Sequence, residues 1–128
     1  MDRKKQVFSD KVPPAVGPYS QAIKVPGLIF TSGQLPIDPK TNTMPESIEE
    51  QTHMAFKNLQ AVIEAGGASL ADIVKTTVFL ADLSEFKQMN EVYLSYFSQP
   101  FPARSAFQVA KLPLGAKIEI EAVVSTLR

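Results

Sequence analysis

Alternating apolar and polar positions, interrupted by proline and glycine, predict that short β-strands make up much of this chain. The clearest alternation closes it, with apolar residues at every even position from 118 to 124 and mostly charged residues between them. Earlier, Pro26-Gly27 separates two apolar runs and is typical of a hairpin turn. Strands are predicted at Gln6–Ser9, Ser20–Val25, Leu28–Ser32, Ile73–Leu80, Ser105–Ala110 and Lys117–Ser125.

Two other segments repeat their apolar residues at the helical period. In the first, Ser47 and Glu50 have the spacing of a capping box, and Gly66-Gly67 ends the apolar repeat. The second runs from Ser84 to Phe97 and places several aromatic residues on one side. The order β-β-β-α-β-α-β-β predicts an α+β fold in a single domain, residues 1–128, with two helices packed on one face of a mixed sheet.

Such an arrangement leaves the other face of the sheet without helices. The predicted strand Ile73–Leu80 carries apolar residues on both of its sides, so neither face of the sheet is convincingly polar there. A partly apolar, uncovered sheet face is commonly buried against other subunits. We therefore expect the chain to self-associate.

Composition excludes several classes of function. Thirteen basic and thirteen acidic residues give no net charge, which argues against nucleic-acid binding, and no apolar run is long enough for a membrane helix. Cysteine is absent, so the chain has no disulfide, zinc-thiolate site or thiol nucleophile. No apolar segment of a signal peptide follows the charged residues 1–5. We expect a cytoplasmic protein that binds neither nucleic acid nor membrane.

Conventional catalytic groups are scarce. His53 is the single histidine and lies beside the apolar stripe of the first helix, where a surface or packing role is expected. With no cysteine and no second histidine, neither a catalytic triad nor a transition-metal site can be assembled from the usual residues. We expect no metal and no cofactor.

Arg104 is the first candidate for binding. It follows a proline-rich loop at residues 100–102, which would present the planar guanidinium, a group that matches a carboxylate, with little conformational loss. The alternative is a salt bridge to Glu119 or Glu121 in a neighbouring strand. The residues alone leave both interpretations open.

Gly33 and Glu119 are weaker candidates. A glycine at a strand end lets a ligand approach the backbone amide, although an ordinary turn is the commoner explanation. Glu119, on the polar face of the last strand, could hold a water molecule and exchange protons with it. The alternative for both Glu119 and Glu121 is a solvated strand charge, which we favour for Glu121.

Several segments together resemble the Rid (YjgF-type) family of imine and enamine deaminases. They are Ala15–Ala22, Thr31–Gln34, Glu50–Thr52, Asp72–Leu80, Met89–Tyr93, Pro102–Ser105 and Lys117–Ala122. The resemblance implies a chorismate-mutase-like fold and a homotrimer with clefts between subunits. It also implies hydrolysis of 2-imino acids, released by pyridoxal-phosphate dehydratases, to 2-keto acids and ammonia without a cofactor or metal.

The same resemblance assigns roles to individual residues. Arg104 would clamp the substrate carboxylate with help from the Gly33 amide, and Glu119 would position or activate the attacking water. An imine is already electrophilic, so this chemistry needs no nucleophilic side chain. Oriented water and a fixed anion would supply proximity and electrostatic stabilisation.

Further residues would complete the cleft by resemblance. Tyr19 and Asn90 would line it or support its walls, and Ser32 would lie beside the bound substrate. Many family members carry cysteine where this chain has Ala106, but the main-chain amide of that position contacts the ligand, and alanine retains it. Other functions described for the family are a ribonuclease, a chaperone-like trimer and a non-catalytic regulator that binds a small metabolite.

Overall fold

The computed structural model describes residues 3–127, which form one six-stranded sheet and two α-helices. The strands are β1 Lys5–Val7, β2 Ala22–Val25, β3 Leu28–Thr31, β4 Ile73–Leu80, β5 Ala103–Gln108 and β6 Ile118–Ser125; the helices are α1 Ile48–Ala65 and α2 Phe86–Leu94. This is the predicted α+β order. No helix within residues 3–127 combines the length and apolar character needed to cross a membrane.

The order of strands in the sheet is β1-β2-β3-β6-β4-β5. β4 and β5 are parallel, and α2 makes the connection between them, whereas the other neighbours are antiparallel. The last strand of the chain therefore lies in the middle of the sheet, between β3 and β4. β5 is left at an edge.

Helix α1 begins and ends where the local sequence predicts. The Ser47 hydroxyl accepts a hydrogen bond from the Glu50 amide at 3.0 Å, and the helix ends before Gly66. A side chain at Gly66 would lie 2.7 Å from the terminal methyl of Ile29, so a glycine is needed where the helix meets the sheet. The core is centred between α1 and the sheet, with Phe56, Leu59 and Ile63 fully buried. Each such side chain contributes about 1.5–3 kcal/mol on burial.

Helix α2 is shorter than the predicted Ser84–Phe97. A 3₁₀ turn at Leu83–Glu85, capped by the Asp82 carboxylate, precedes it, and the regular helix ends at Leu94. Tyr96 still packs on α1, its ring stacked on Phe56 with centroids 4.3 Å apart. The aromatic pattern beyond Leu94 thus reflects packing between helices rather than continuation of α2.

Both helices pack on one face of the sheet, as predicted. The opposite face, here called the open face, carries Phe30, Phe79, Phe107, Glu119 and Glu121. Phe30 is 45% exposed and Phe107 is 44% exposed. Burial of this face in a trimer remains a prediction.

Candidate functional site

Arg104 is the second residue of β5, one residue after that strand begins to pair with β4. β5 begins two residues before the predicted strand Ser105–Ala110, because Ala103 already pairs with β4. Arg104 is directly opposite Thr76 of β4, whose side chain is buried under α2, so the guanidinium lies on the helix-covered face.

Within one chain, the salt bridge from Arg104 to Glu119 or Glu121 is wrong. Glu119 and Glu121 belong to β6, which is separated from β5 by β4, and their side chains point to the open face. Within residues 3–127 an ion pair joins Lys117 to Glu85 at 3.7 Å, and Arg104 takes no part in it. Strand alternation and strand order together keep these charges apart.

The guanidinium of Arg104 is held by α2. Its Nη1 donates to Oδ1 of Asn90 at 2.7 Å, and its central carbon lies 4.6 Å from the ring centre of Tyr93 and 5.3 Å from that of Phe86. The Tyr93 hydroxyl in turn shares a buried hydrogen bond of 2.8 Å with Thr76. Cation–π contact and a hydrogen bond thus orient the group while leaving further N–H donors for a ligand.

A cavity of about 370 Å³ adjoins this arrangement, which we call the Arg104 half-site. Its lining residues are Asn90, Tyr93, Leu94, Phe101, Pro102 and Arg104. The family resemblance implied that Asn90 lines the cleft, whereas Phe86 and Tyr93 were predicted only to lie on the aromatic side of the second helix. Their positions four residues before and three residues after Asn90 put all three on one helix face, a spacing that could have identified them.

Gly33 and Glu119 form a second arrangement, the Gly33 half-site. Gln34 and Ile120 exchange backbone hydrogen bonds of 2.7 and 3.1 Å, so the chain after β3 runs antiparallel to β6. Gly33 then lies against the Glu119 side chain. A Cβ at Gly33 would be 2.7 Å from the Glu119 carboxyl carbon and would overlap its Oε2, so only glycine allows this approach.

The Glu119 carboxyl has an altered acidity. Partial burial raises its pKa above the usual range for glutamate, and the negative charge of Glu121 raises the pKa further. A carboxylate with a raised pKa is a stronger base than an ordinary surface glutamate. This is the property required of a group that takes a proton from water.

Gly33 also lines a cavity of about 310 Å³. The lining residues are Pro13, Pro14, Ala15, Val16, Tyr19, Gln21, Gly33, Gln34, Leu35, Ile37, Asn42 and Leu114. Tyr19 therefore lines the same cavity as Gly33. Glu119 does not line this cavity, but its carboxylate contacts Gly33, which does.

Hydrogen bonds hold the loop that bears Tyr19. The buried Gln21 side chain donates to the carbonyls of Ser9 and Pro13, and it accepts from the Ser9 amide at 2.7 Å. The Ser32 hydroxyl donates to the Ser20 carbonyl at 2.6 Å. Ser32 thus anchors this loop to the end of β3, and its oxygen retains an acceptor lone pair.

The amide of Ala106 is directed to the free edge of the sheet. Val109, just past β5, donates its amide to the Leu80 carbonyl at 2.9 Å in the parallel ladder with β4. Since amides alternate sides along a strand, that of Ala106 points away from β4. This geometry allows the main-chain contact that the resemblance implies.

The two half-sites do not meet in one chain. Arg104 and Asn90 lie on the helix-covered face at the β5 edge, whereas Glu119 is on the open face. Tyr19 and Gly33 accompany Glu119. The predicted residues therefore form two groups, each internally ordered.

His53 lies outside both half-sites. It is exposed on α1, and its Nδ1 shares a 2.6 Å hydrogen bond with the Tyr96 hydroxyl. In the part of the chain that the structure describes, no three His, Asp or Glu residues are grouped closely enough to hold a metal ion.

Comparison with known proteins places this geometry in context. The family model described as Endoribonuclease L-PSP matches residues 9–126. The chain is 50% identical over 124 residues to Reactive Intermediate Deaminase A, chloroplastic, of Arabidopsis thaliana, covering 96% of this chain and 66% of that protein. It is 43% identical over 122 residues to 2-iminobutanoate/2-iminopropanoate deaminase of Salmonella typhimurium, covering 93% of this chain and 95% of the relative.

A solved structure shares the fold as well. The crystal structure of E. coli TdcF with bound serine superimposes with a TM-score of 0.92 at 39% identity, covering 96% of this chain and 99% of that one. The match extends over nearly the full length of both chains.

Proposed function

The chain belongs to the Rid (YjgF-type, endoribonuclease L-PSP) family, and on that premise we propose that it hydrolyses reactive 2-imino acids to 2-keto acids and ammonia. The observation that carries the proposal is the pair of half-sites. One presents an oriented guanidinium suited to a carboxylate, and the other presents a carboxylate of raised pKa beside an approachable backbone amide.

Each half-site has a defined task in this reaction. Arg104, held by Asn90 and Tyr93, binds the substrate carboxylate together with the amides of Gly33 and Ala106. Glu119 accepts a proton from water as the water oxygen bonds to the imine carbon. Glu119 returns that proton to nitrogen, and the hydroxyl proton of the resulting carbinolamine then moves to nitrogen as the carbon–nitrogen bond breaks, which forms the keto-acid carbonyl and releases ammonia. No metal or cofactor takes part in this scheme.

Completion of the site requires a second copy of the chain. Because Arg104 and Glu119 lie on opposite faces of the sheet, the Arg104 half-site of one subunit must meet the Gly33 half-site of another. Association through the open face would bury Phe30 and Phe107 at the same time. A homotrimer with three such clefts meets both requirements.

Turnover is tested by coupling the protein to threonine dehydratase, which releases an enamine that tautomerises to 2-iminobutanoate. The protein should increase the rate of 2-ketobutanoate formation and reduce the amount of imine captured by semicarbazide. Arg104→Ala and Glu119→Gln should each abolish the increase. Binding of 2-ketobutanoate with no rate increase would instead identify a metabolite-binding regulator.

Subunit mixing tests where the site is. Arg104→Ala and Glu119→Gln chains, each inactive alone, are co-refolded at equal concentration. Random assembly should restore about a quarter of the wild-type activity. A cleft is intact only when one of its two subunits supplies Arg104 and the other supplies Glu119. A mixture that forms mixed trimers but remains inactive would contradict the inter-subunit site.

Ribonuclease activity is the other function that the family description names. The single histidine, exposed and bonded to Tyr96, offers no paired acid and base of the kind an ordinary ribonuclease uses. Incubation of single-stranded RNA with the wild type and with Arg104→Ala decides between the two. Cleavage that survives repurification and disappears in the variant would favour the ribonuclease.

A further inference from the structure

Leu114 has an unusual backbone conformation for its residue type. Its φ of 59° and ψ of 21° are left-handed, and Gly115 follows with a φ of 72°. Leucine is disfavoured in this region because its Cβ crowds the backbone, and it has no polar group to form a compensating local hydrogen bond. Such conformations persist at functional positions more often than elsewhere.

Packing does not explain this conformation. The Leu114 side chain is 75% exposed, so it recovers little free energy by burial. Asn42 is the other non-glycine residue with a positive φ within residues 3–127, and asparagine is well suited to it. Both residues line the cavity of the Gly33 half-site.

The rest of that cavity shows what Leu114 faces. Its wall on the Tyr19 side is formed by apolar residues at 13–16, and Val16 among them is 83% exposed. The Gln21 amide, which could have made the wall polar, is occupied in holding Ser9 and Pro13. A ligand whose carboxylate end lies at Gly33 would therefore have the apolar side chains of Val16 and Leu114 available in the same cavity.

The cavity is large enough for substrates larger than the smallest imino acids. The cavity measures about 310 Å³. That volume is at the lower end of the roughly 300–1,000 Å³ typical of pockets for drug-sized ligands, whereas 2-iminobutanoate has only about seven non-hydrogen atoms. Space remains for a longer aliphatic side chain.

We propose that Leu114, together with Val16 of the same cavity, selects 2-imino acids that carry long aliphatic side chains, such as those derived from leucine or methionine. This inference rests on the proposed imine hydrolysis and names its preferred substrate class. Asparagine or glycine would adopt the left-handed turn at position 114 with less strain. Either residue would place a polar group, or no side chain, at the cavity where Leu114 places an apolar side chain.

The test compares Leu114→Asn with the wild type. Asparagine accepts the left-handed backbone but removes the apolar wall, so folding should be unchanged or improved. Leu127→Asn is the matched control, because Leu127 is 77% exposed and lies outside the cavity. Imines are generated from alanine and from leucine by an L-amino-acid oxidase with catalase, and kcat/KM is measured by competition with semicarbazide.

The Leu114→Asn variant should lose roughly tenfold in kcat/KM for the leucine-derived imine, near the lower limit for a lost apolar contact. On the same grounds, the kcat/KM of the variant for the alanine-derived imine should stay within about twofold of the wild-type value. Equal losses for both substrates, or no loss for either, would overturn the proposal. A fall in the mass of the assembly would also overturn it, by placing Leu114 in a subunit contact.

Binding separates this inference from the proposed function. Calorimetry with 4-methyl-2-oxopentanoate and with pyruvate measures side-chain preference without any turnover. A wild-type preference for the longer keto acid that disappears in Leu114→Asn would support the selecting role even if no imine were hydrolysed. Absence of any preference in the wild type would refute it, whatever the catalytic result.

Discussion

Gly33→Ala is a small substitution that should strongly reduce activity. The added Cβ would stand 2.7 Å from the Glu119 carboxyl carbon and 3.0 Å from its Cγ, and it would overlap Oε2. Gly33 is not among the glycines with positive φ, so alanine meets no backbone obstacle there. The Glu119 side chain must therefore move, while the amide at position 33 is kept.

The expected magnitudes differ for stability and for turnover. Moving the partly buried Glu119 side chain costs about 0.5–1.5 kcal/mol if it leaves its preferred rotamer, and a tolerated Gly→Ala change recovers about 0.4–1 kcal/mol. The free energy of unfolding should then change by about 1 kcal/mol or less. A displaced acid–base group, in contrast, typically lowers the rate by about 10²–10⁴-fold.

Coupled assays and thermal melts on four proteins test this reasoning. Gly33→Ala should lose at least about a hundredfold in turnover, as should Glu119→Gln, and the double variant should lose little more because both act on one group. Gly66→Ala is the control, since its Cβ would strike Ile29 in the core and should lower the melting temperature while sparing turnover. Wild-type turnover in Gly33→Ala, or additive losses in the double variant, would refute the role of this contact.

Arg104→Lys should fail almost as completely as Arg104→Ala, losing about a hundredfold in turnover with little change in melting temperature, because an ammonium cannot reproduce the planar fork or its stacking on Tyr93. Substrate hydrolysis should decline as pH falls through the raised pKa of Glu119, so the acidic limb of the kcat/KM profile should lie above the ordinary range of glutamate; a limb at or below that range would argue against Glu119 as the base. The same raised pKa means that ionisation of Glu119 disfavours the folded state, so Glu119→Gln should melt at the same or a higher temperature at neutral pH, and this difference should vanish at pH values below the unfolded pKa. Light scattering should give about three times the chain mass of 14.0 kDa, and Phe107→Glu on the open face should reduce it; a stable wild-type monomer would contradict the proposed cleft.

Local patterns along the chain were sufficient to predict the elements. The N-cap at Ser47, the glycine stop at Gly66 and the alternation in β6 each depend on residues within a few positions of one another. Helix and strand periodicities arise from those short-range geometries, so sequence reasoning located the elements and the covered face of the sheet. The ordered segments that resemble the Rid family likewise indicated the family that the comparisons confirm.

Boundaries were less predictable, for a physical reason. β5 begins at Ala103 rather than Ser105 because β4 offers partners there, and α2 ends at Leu94 although aromatic residues continue to pack beyond it. Pairing and packing with distant segments, not local propensity, decide where these elements stop.

Sequence alone determined which residues carry suitable chemistry, including an arginine after rigid prolines and a glutamate on a polar strand face. Only the tertiary structure decided which of them meet. Insertion of β6 between β3 and β4 brings Glu119 to Gly33 and separates Glu119 from Arg104. Arg104 instead contacts Asn90 and Tyr93 of α2. Strand order is set by burial summed over the whole sheet, and no local stretch of sequence encodes that sum.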